Sequence, residues 1–238
     1  MGRHGTIANR KAAQDSKRAA MFTKYARQII VCAKNGGDPN FNPALRVAID
    51  KAKGIGMPND NINRAIKKGT GELGGETYEE KTFEGYGPSG VAVIVECLTD
   101  NNNRTTAFVR STFDKNGGNL GTPGCVSYMF SRKGVIIIDS EGLDEEEVMM
   151  AALEAGAEDM NVNEDSFEVI TDPGAFNDVH EAIKQAGYDI VEAEIEQIPS
   201  MQANVTDEAA IKSLTKMIDI LEENDDVQNV YYNCELPE

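Results

Sequence analysis

The chain has no tryptophan, two histidines and four cysteines. Cys32, Cys97, Cys125 and Cys234 are widely scattered, no Cys-x-x-Cys pair occurs, and His4 lies far from His180. A zinc site legible in sequence needs clustered ligands, and there are none. The thiols read as reduced and mostly buried, in a cytosolic protein. No apolar run approaches the roughly 18 residues of a membrane span. "VAVIVECL" and "GVIII" have only strand length. The charged N-terminus carries no apolar h-region, which argues against a signal peptide. "MGRHGT" fits the N-myristoylation pattern at Gly2, but that pattern is short and recurs by chance. With no Gly-Lys dipeptide, the glycines of "KKGTGELGG" cannot form a P-loop and read as a linker. "GYGPSG" reads as a hairpin turn.

Acidic runs are present but lack calcium-loop spacing. "LDEEEVM" reads as acids at a helix N-terminus with Asp144 near the cap, and "EENDDV" as a polar turn. Two remote histidines support neither a Ser–His–Asp nor a Cys–His arrangement. The expectation is a protein that is not an enzyme, with no metal or cofactor.

What the chain does have is an uneven charge. Its formal net charge is −17. Residues 1–75 hold 14 Lys or Arg and 5 Asp or Glu, a net of +9, whereas residues 76–238 hold 9 and 35, a net of −26. "GTIANRKAAQDSKRAAMFTKYAR", residues 5–27, has six basic residues and one acid. A basic end of this kind is an electrostatic footprint for a polyanion, which the acidic remainder would repel. Arg3, Arg10, Lys11, Lys17, Arg18, Lys24, Arg27, Lys67 and Lys68 are the residues expected to meet phosphates. Phe22 and Tyr25 belong to an apolar face, so no single-strand stacking platform is present, and backbone contact is favoured over base readout.

Periodicity divides the chain. Residues 1–14 read as a mobile arm. A helix follows from about Asp15 or Ser16 to Ala33, with Phe22, Tyr25, Ala26, Ile29, Ile30 and Ala33 on one face. Arg10, Lys17 and Lys24, seven apart, would form an opposite, solvent-facing stripe. Asn42 caps a second helix with Pro43 at its first position, running to about Lys53. A third spans about Asn59 to Lys68, and Gly69 stops it. Strands at 77–86 and 91–99 flank "GPSG". A helix from about Arg104 to Asn116 is expected to be capped by Asn102 or Asn103. "CVSYMF" at 125–130 reads as a strand. Residues 134–198 then follow βαββαβ order, the split-βαβ ferredoxin-like pattern. A helix at 207–223 and a strand at 227–234 complete the earlier sheet. The fold class expected is α+β: an N-terminal three-helix domain plus two α/β ferredoxin-like domains, the third inserted into the second. The boundaries are 1–75, 76–131 with 200–238, and 132–199.

Long stretches resemble the YebC/PmpR family: "KAAQDSKRAAMFTKYARQI", "GGDPNFNPALRVAIDKAKGIGMPNDNINRAIKKGTGE", "FEGYGPSGVAVIVECLTDNNNRT", "FDKNGGNLGTPGCVSYMFSRKG" and "DDVQNVYYN". The resemblance spans nearly the whole chain. It implies the three-domain fold just described and a cytoplasmic, DNA-binding transcriptional regulator. Relatives that include a mitochondrial translational activator imply a second role, in translation, with rRNA or tRNA on the ribosome as partner. Family members commonly begin "GHSKWANIK", and here the stretch is "GRHGTIANRK". The resemblance therefore carries the charge of the arm and not an aromatic stack. No helix-turn-helix reader is apparent, and few Asn, Gln or Arg align for base edges, so charge alone does not separate DNA from RNA. A third reading is a scaffold whose acidic domains dock a protein partner.

Overall fold

The structure is a computed structural model that describes residues 18–74 and 77–236, with Arg18 and Ala19 placed by their helical backbone alone. The expected arm at 1–14 and the start of the first helix lie outside the described residues.

Three helices come first: α1 (Arg18–Ala33), α2 (Pro43–Gly54) and α3 (Asn59–Gly69). Asn42 joins two of them. Its Oδ1 accepts from Leu45 N at 3.1 Å and caps α2, while its Nδ2 donates to Cys32 O and Gly36 O, both at 2.9 Å. One buried amide thus satisfies orphan groups at the end of α1 and the start of α2. Ile29, Ile30, Ala33, Leu45, Ala48, Ala52, Ile62 and Ala65 form the core between the helices. Gly69 is the last residue of α3. A Cβ there would stand 2.4 Å from Ile30 O, so the glycine serves the close approach of α1 and α3. The left-handed turn falls two residues later, at Gly71 (φ 85°).

The next unit is a four-stranded antiparallel sheet of order β3-β1-β2-β8, built from β1 (Glu79–Tyr86), β2 (Ala92–Thr99), β3 (Asn119–Leu120) and β8 (Val227–Tyr232). Helices α4 (Asn102–Lys115) and α7 (Glu208–Glu222) cover one face, with Val109 and Phe113 of α4 and Leu214 and Met217 of α7 packed in one core with Val93 and Val95 of β2. The other face of β2 buries Ala92 and Ile94 against Val126, Met129 and Phe130. Burial on both faces explains the unbroken apolar run of β2. Between β1 and β2, "GPSG" turns with Ser89 at φ 59° and Gly90 at φ 74°.

Between β3 and α7 in sequence lies the third unit. It holds β4 (Phe130–Asp139), α5 (Glu145–Glu154), β5 (Asp159–Val162), β6 (Ser166–Thr171), α6 (Phe176–Gln185) and β7 (Ile190–Pro199). Its sheet order, β5-β6-β4-β7, is the ferredoxin-like arrangement of the βαββαβ pattern. Asp144 caps α5 by accepting from Glu146 N and Glu147 N. The fold class is the expected one, with the third unit inserted into the second.

Three local expectations are corrected. Residues 125–130 are not a strand. The buried Glu84 carboxylate accepts from Gly124 N, Val126 N and Ser127 N at 2.8–3.0 Å, which curls the segment into a short 3-10 turn, and β4 starts only at Phe130. The cap of α4 is Asn101, accepting from Arg104 N at 3.0 Å, so Asn102 and Asn103 are helical. And the face of α1 opposite its apolar residues is not an open, solvent-facing stripe, because every residue from Ala20 to Ala33 is at least partly buried.

Candidate nucleic-acid interface

The covering of α1 redistributes the cations. Lys24 Nζ donates to Glu222 O at 2.9 Å, at the end of α7. Arg27 reaches the turn before β8: its Nη1 donates to Asp226 Oδ1 at 2.7 Å and to Leu98 O at 2.9 Å, and its guanidinium lies 4.9 Å from the Tyr78 ring centroid. Asp226 is a hub. Arg104 grips it from the other side, with Nη2–Oδ2 at 2.7 Å and Nε–Oδ2 at 3.2 Å, and Thr105 Oγ1 donates at 2.8 Å. Burial alone would raise the Asp226 carboxyl. The hydrogen bonds from Arg104, Arg27 and Thr105 outweigh it and hold the group below the usual aspartate range. Arg27 and Asp226 are 12% and 5% exposed, so this pair is shut away from a phosphate.

α2 behaves likewise toward the inserted unit. Arg46 pairs with Glu181 at 2.9 Å and Lys51 with Glu194 at 3.1 Å. Burial, then Glu194 and Glu192, push the Tyr25 hydroxyl far above the usual tyrosine range, so it stays protonated at any physiological pH.

α3 is different. Ile62 and Ala65 face inward. Asn61, Asn63, Arg64, Lys67 and Lys68 are all exposed, and among the described residues none of these side chains makes a hydrogen bond or ion pair. At 3.6 residues per turn, Asn61, Arg64 and Lys68 stack along one side, as do Asn63 and Lys67 beside them. Part of this is helix-end chemistry, because cations in a last turn complement the helix dipole. Arg64 and the two asparagines are not explained that way. Together the stripe offers charge for phosphates and amides able to pair with base edges.

Residues 3–72 match the TACO1/YebC N-terminal domain, and residues 78–234 match the TACO1/YebC second and third domain. The chain belongs to the TACO1/YebC family. It is similar to a probable transcriptional regulatory protein of Clostridioides difficile, 55% identical over 99% of this chain and 100% of that one. Another protein of that description, from Listeria innocua, is 54% identical over 97% of this chain and 96% of its own length. A crystal structure of a conserved hypothetical protein from Aquifex aeolicus superposes with a TM-score of 0.84, at 47% identity over 94% of this chain and 93% of that one.

Within this TACO1/YebC chain, the residues expected to meet phosphates divide into three groups. Arg3, Arg10, Lys11 and Lys17 lie outside the described residues, as does the side chain of Arg18. Lys24 and Arg27 are turned onto the sheet unit. Lys67 and Lys68 are exposed on α3. Sequence reasoning passed over Arg64, Asn61 and Asn63. The available signal was the 61–64–68 spacing flanking the face of Ile62 and Ala65, with Asn63 and Lys67 opposite it.

Proposed function

We propose that the chain is a cytoplasmic, DNA-binding regulator of transcription that holds nucleic-acid phosphates against the outward face of α3, with the basic segment 1–17 as a second contact. One observation carries this reading. The cations of α1 and α2 that face the acidic units are paired, and Arg64, Lys67 and Lys68 are exposed and without such partners. Two others support it. α2 and α3 are joined by residues 55–58, with Gly56 at φ 77°, the connection length and glycine typical of a helix-turn-helix, whose second helix enters the major groove. The similar bacterial proteins bear the name of transcriptional regulators. Among the described residues no helix is long and apolar enough to cross a membrane.

The test is a binding titration of the full chain on duplex DNA across a salt series, with rRNA and tRNA as parallel arms. If about five phosphates are neutralised on a duplex, log K falls against log salt with a slope near −4.5. A slope near zero would remove the electrostatic reading. Binding confined to the RNA arms would replace transcription with the translational role.

A further inference from the structure

α2 docks on α6 through a mixed contact. Val47 enters the apolar core of the inserted unit, and two ion pairs flank it, Arg46–Glu181 and Lys184–Asp50. His180 sits between those pairs, 4% exposed. Its Nδ1 is buried without a hydrogen-bond partner, and so is Glu181 Oε1, 3.9 Å away. Buried polar atoms without partners are rare in folded proteins, and these two face each other across a gap that one shared partner would satisfy. Asp50, from the other side of the junction, brings a third donor: one ligand atom from each of Asp50, His180 and Glu181 lies within 4.8 Å of the others.

We infer that Asp50, His180 and Glu181 form a binding site for a divalent transition-metal ion, zinc-like in its ligand preference, at the junction of the helical and inserted units. An imidazole nitrogen with two carboxylate oxygens suits such an ion. Metal–ligand bonds of about 2.0–2.2 Å place neighbouring donors roughly 3–4 Å apart, so the 3.9 Å between His180 and Glu181 needs little adjustment. Each carboxylate is held by one oxygen. Arg46 grips Glu181 through Oε2 and Lys184 grips Asp50 through Oδ2, which orients both as outer-shell partners do. Asp50 and His180 also line a cavity of about 610 Å³ with Tyr25, Lys184 and Tyr188. The cavity gives the ion an entry path and room for a water as fourth ligand. The triplet Glu192, Glu194 and Glu196 on β7 is a weaker candidate, since it lacks a nitrogen donor and its members already have partners. Because Asp50 and His180 come from different units, the bound ion would bolt α2 to α6.

Zn²⁺ titrated into the chelator-treated full chain, against a chromophoric competitor, tests the site. A single saturable equivalent is expected, and Co²⁺ in its place should give visible d–d bands. His180→Gln and Glu181→Gln should each weaken Zn²⁺ by about 100-fold, the upper end of what even outer-shell changes cost. His4→Gln and the double variant Glu192→Gln with Glu194→Gln should leave it unchanged. Hydrogen exchange in residues 43–54 and 176–185 should slow when Zn²⁺ is added. The wild-type chain alone can overturn the inference, by showing no saturable Zn²⁺ binding. So can undiminished binding in folded His180→Gln and Glu181→Gln, or loss of binding in His4→Gln.

Discussion

Single residues hold this molecule together where chain ends and domains meet. Asn42 is the clearest case, because its removal takes a cap from α2, leaves Gly36 O without its side-chain donor and leaves Cys32 O with the Asn35 N–H alone. Asn42→Ala should cost about 2–3 kcal/mol, a full cap plus an unsatisfied carbonyl, measured by urea denaturation. Asp226 is the second. Arg27→Ala removes the buried cation beside Asp226 and the side-chain donor of Leu98 O, while Arg104 and Thr105 still hold the carboxylate, and should destabilise by about 1–3 kcal/mol. Arg104→Ala should cost less, since that side chain is 51% exposed and water can replace it. The same carboxylate sets a pH dependence. Its folded pKa lies below the unfolded one, so its contribution is complete above about pH 4, the ordinary aspartate value, and is lost as pH falls through the lower folded value. Asp226→Asn should therefore flatten the acid limb of a plot of Tm against pH. An unchanged limb would mean that other carboxylates dominate acid unfolding.

At the scale of elements, α1 and α3 put their basic residues to opposite uses. Both are basic amphipathic helices. α1 is at least partly buried at every residue from Ala20 to Ala33, whereas α3 keeps Arg64, Lys67 and Lys68 in solvent. Changing those three to Ala should shift Tm by no more than about 5 °C, because surface changes away from caps and cores usually stay within about 0.5 kcal/mol each, about 1.5 kcal/mol for three. The same triple variant should reduce the salt slope of DNA binding by about 2.7, three contacts at 0.9 each. If the slope stays put while Lys24→Ala lowers it, the interface lies on α1 after all.

For the whole molecule, the separation of a +9 segment from a −26 remainder is partly an internal complementarity. Arg27, Arg46 and Lys51 meet Asp226, Glu181 and Glu194 across domain junctions. Residues 77–238 expressed alone should retain both sheets by circular dichroism, since each sheet has its own core. They should melt below the full chain, having lost Val47 and these cationic partners. An equal Tm would show that the junctions add nothing to stability. The sequence by itself determined most elements and their order, though not the short β3 or the turn at 127–129. Period-3.6 and period-2 patterns are local, and Asn42, Pro43 and Asp144 mark helix starts through contacts within three residues. It also determined the βαββαβ order of the inserted unit and the charge division. Only the tertiary structure decided which charges face solvent. Arg27 and Asp226 are 199 residues apart, and an acid in "EENDDV" looks like any solvated turn residue until α1 docks over it. His180 and Asp50, 130 apart in number, likewise meet only because α2 rests on α6. Glu84 turned an expected strand into a loop from 40 or more residues away. A local pattern records what one segment buries, but the partner of a buried charge is chosen by the docking of another segment.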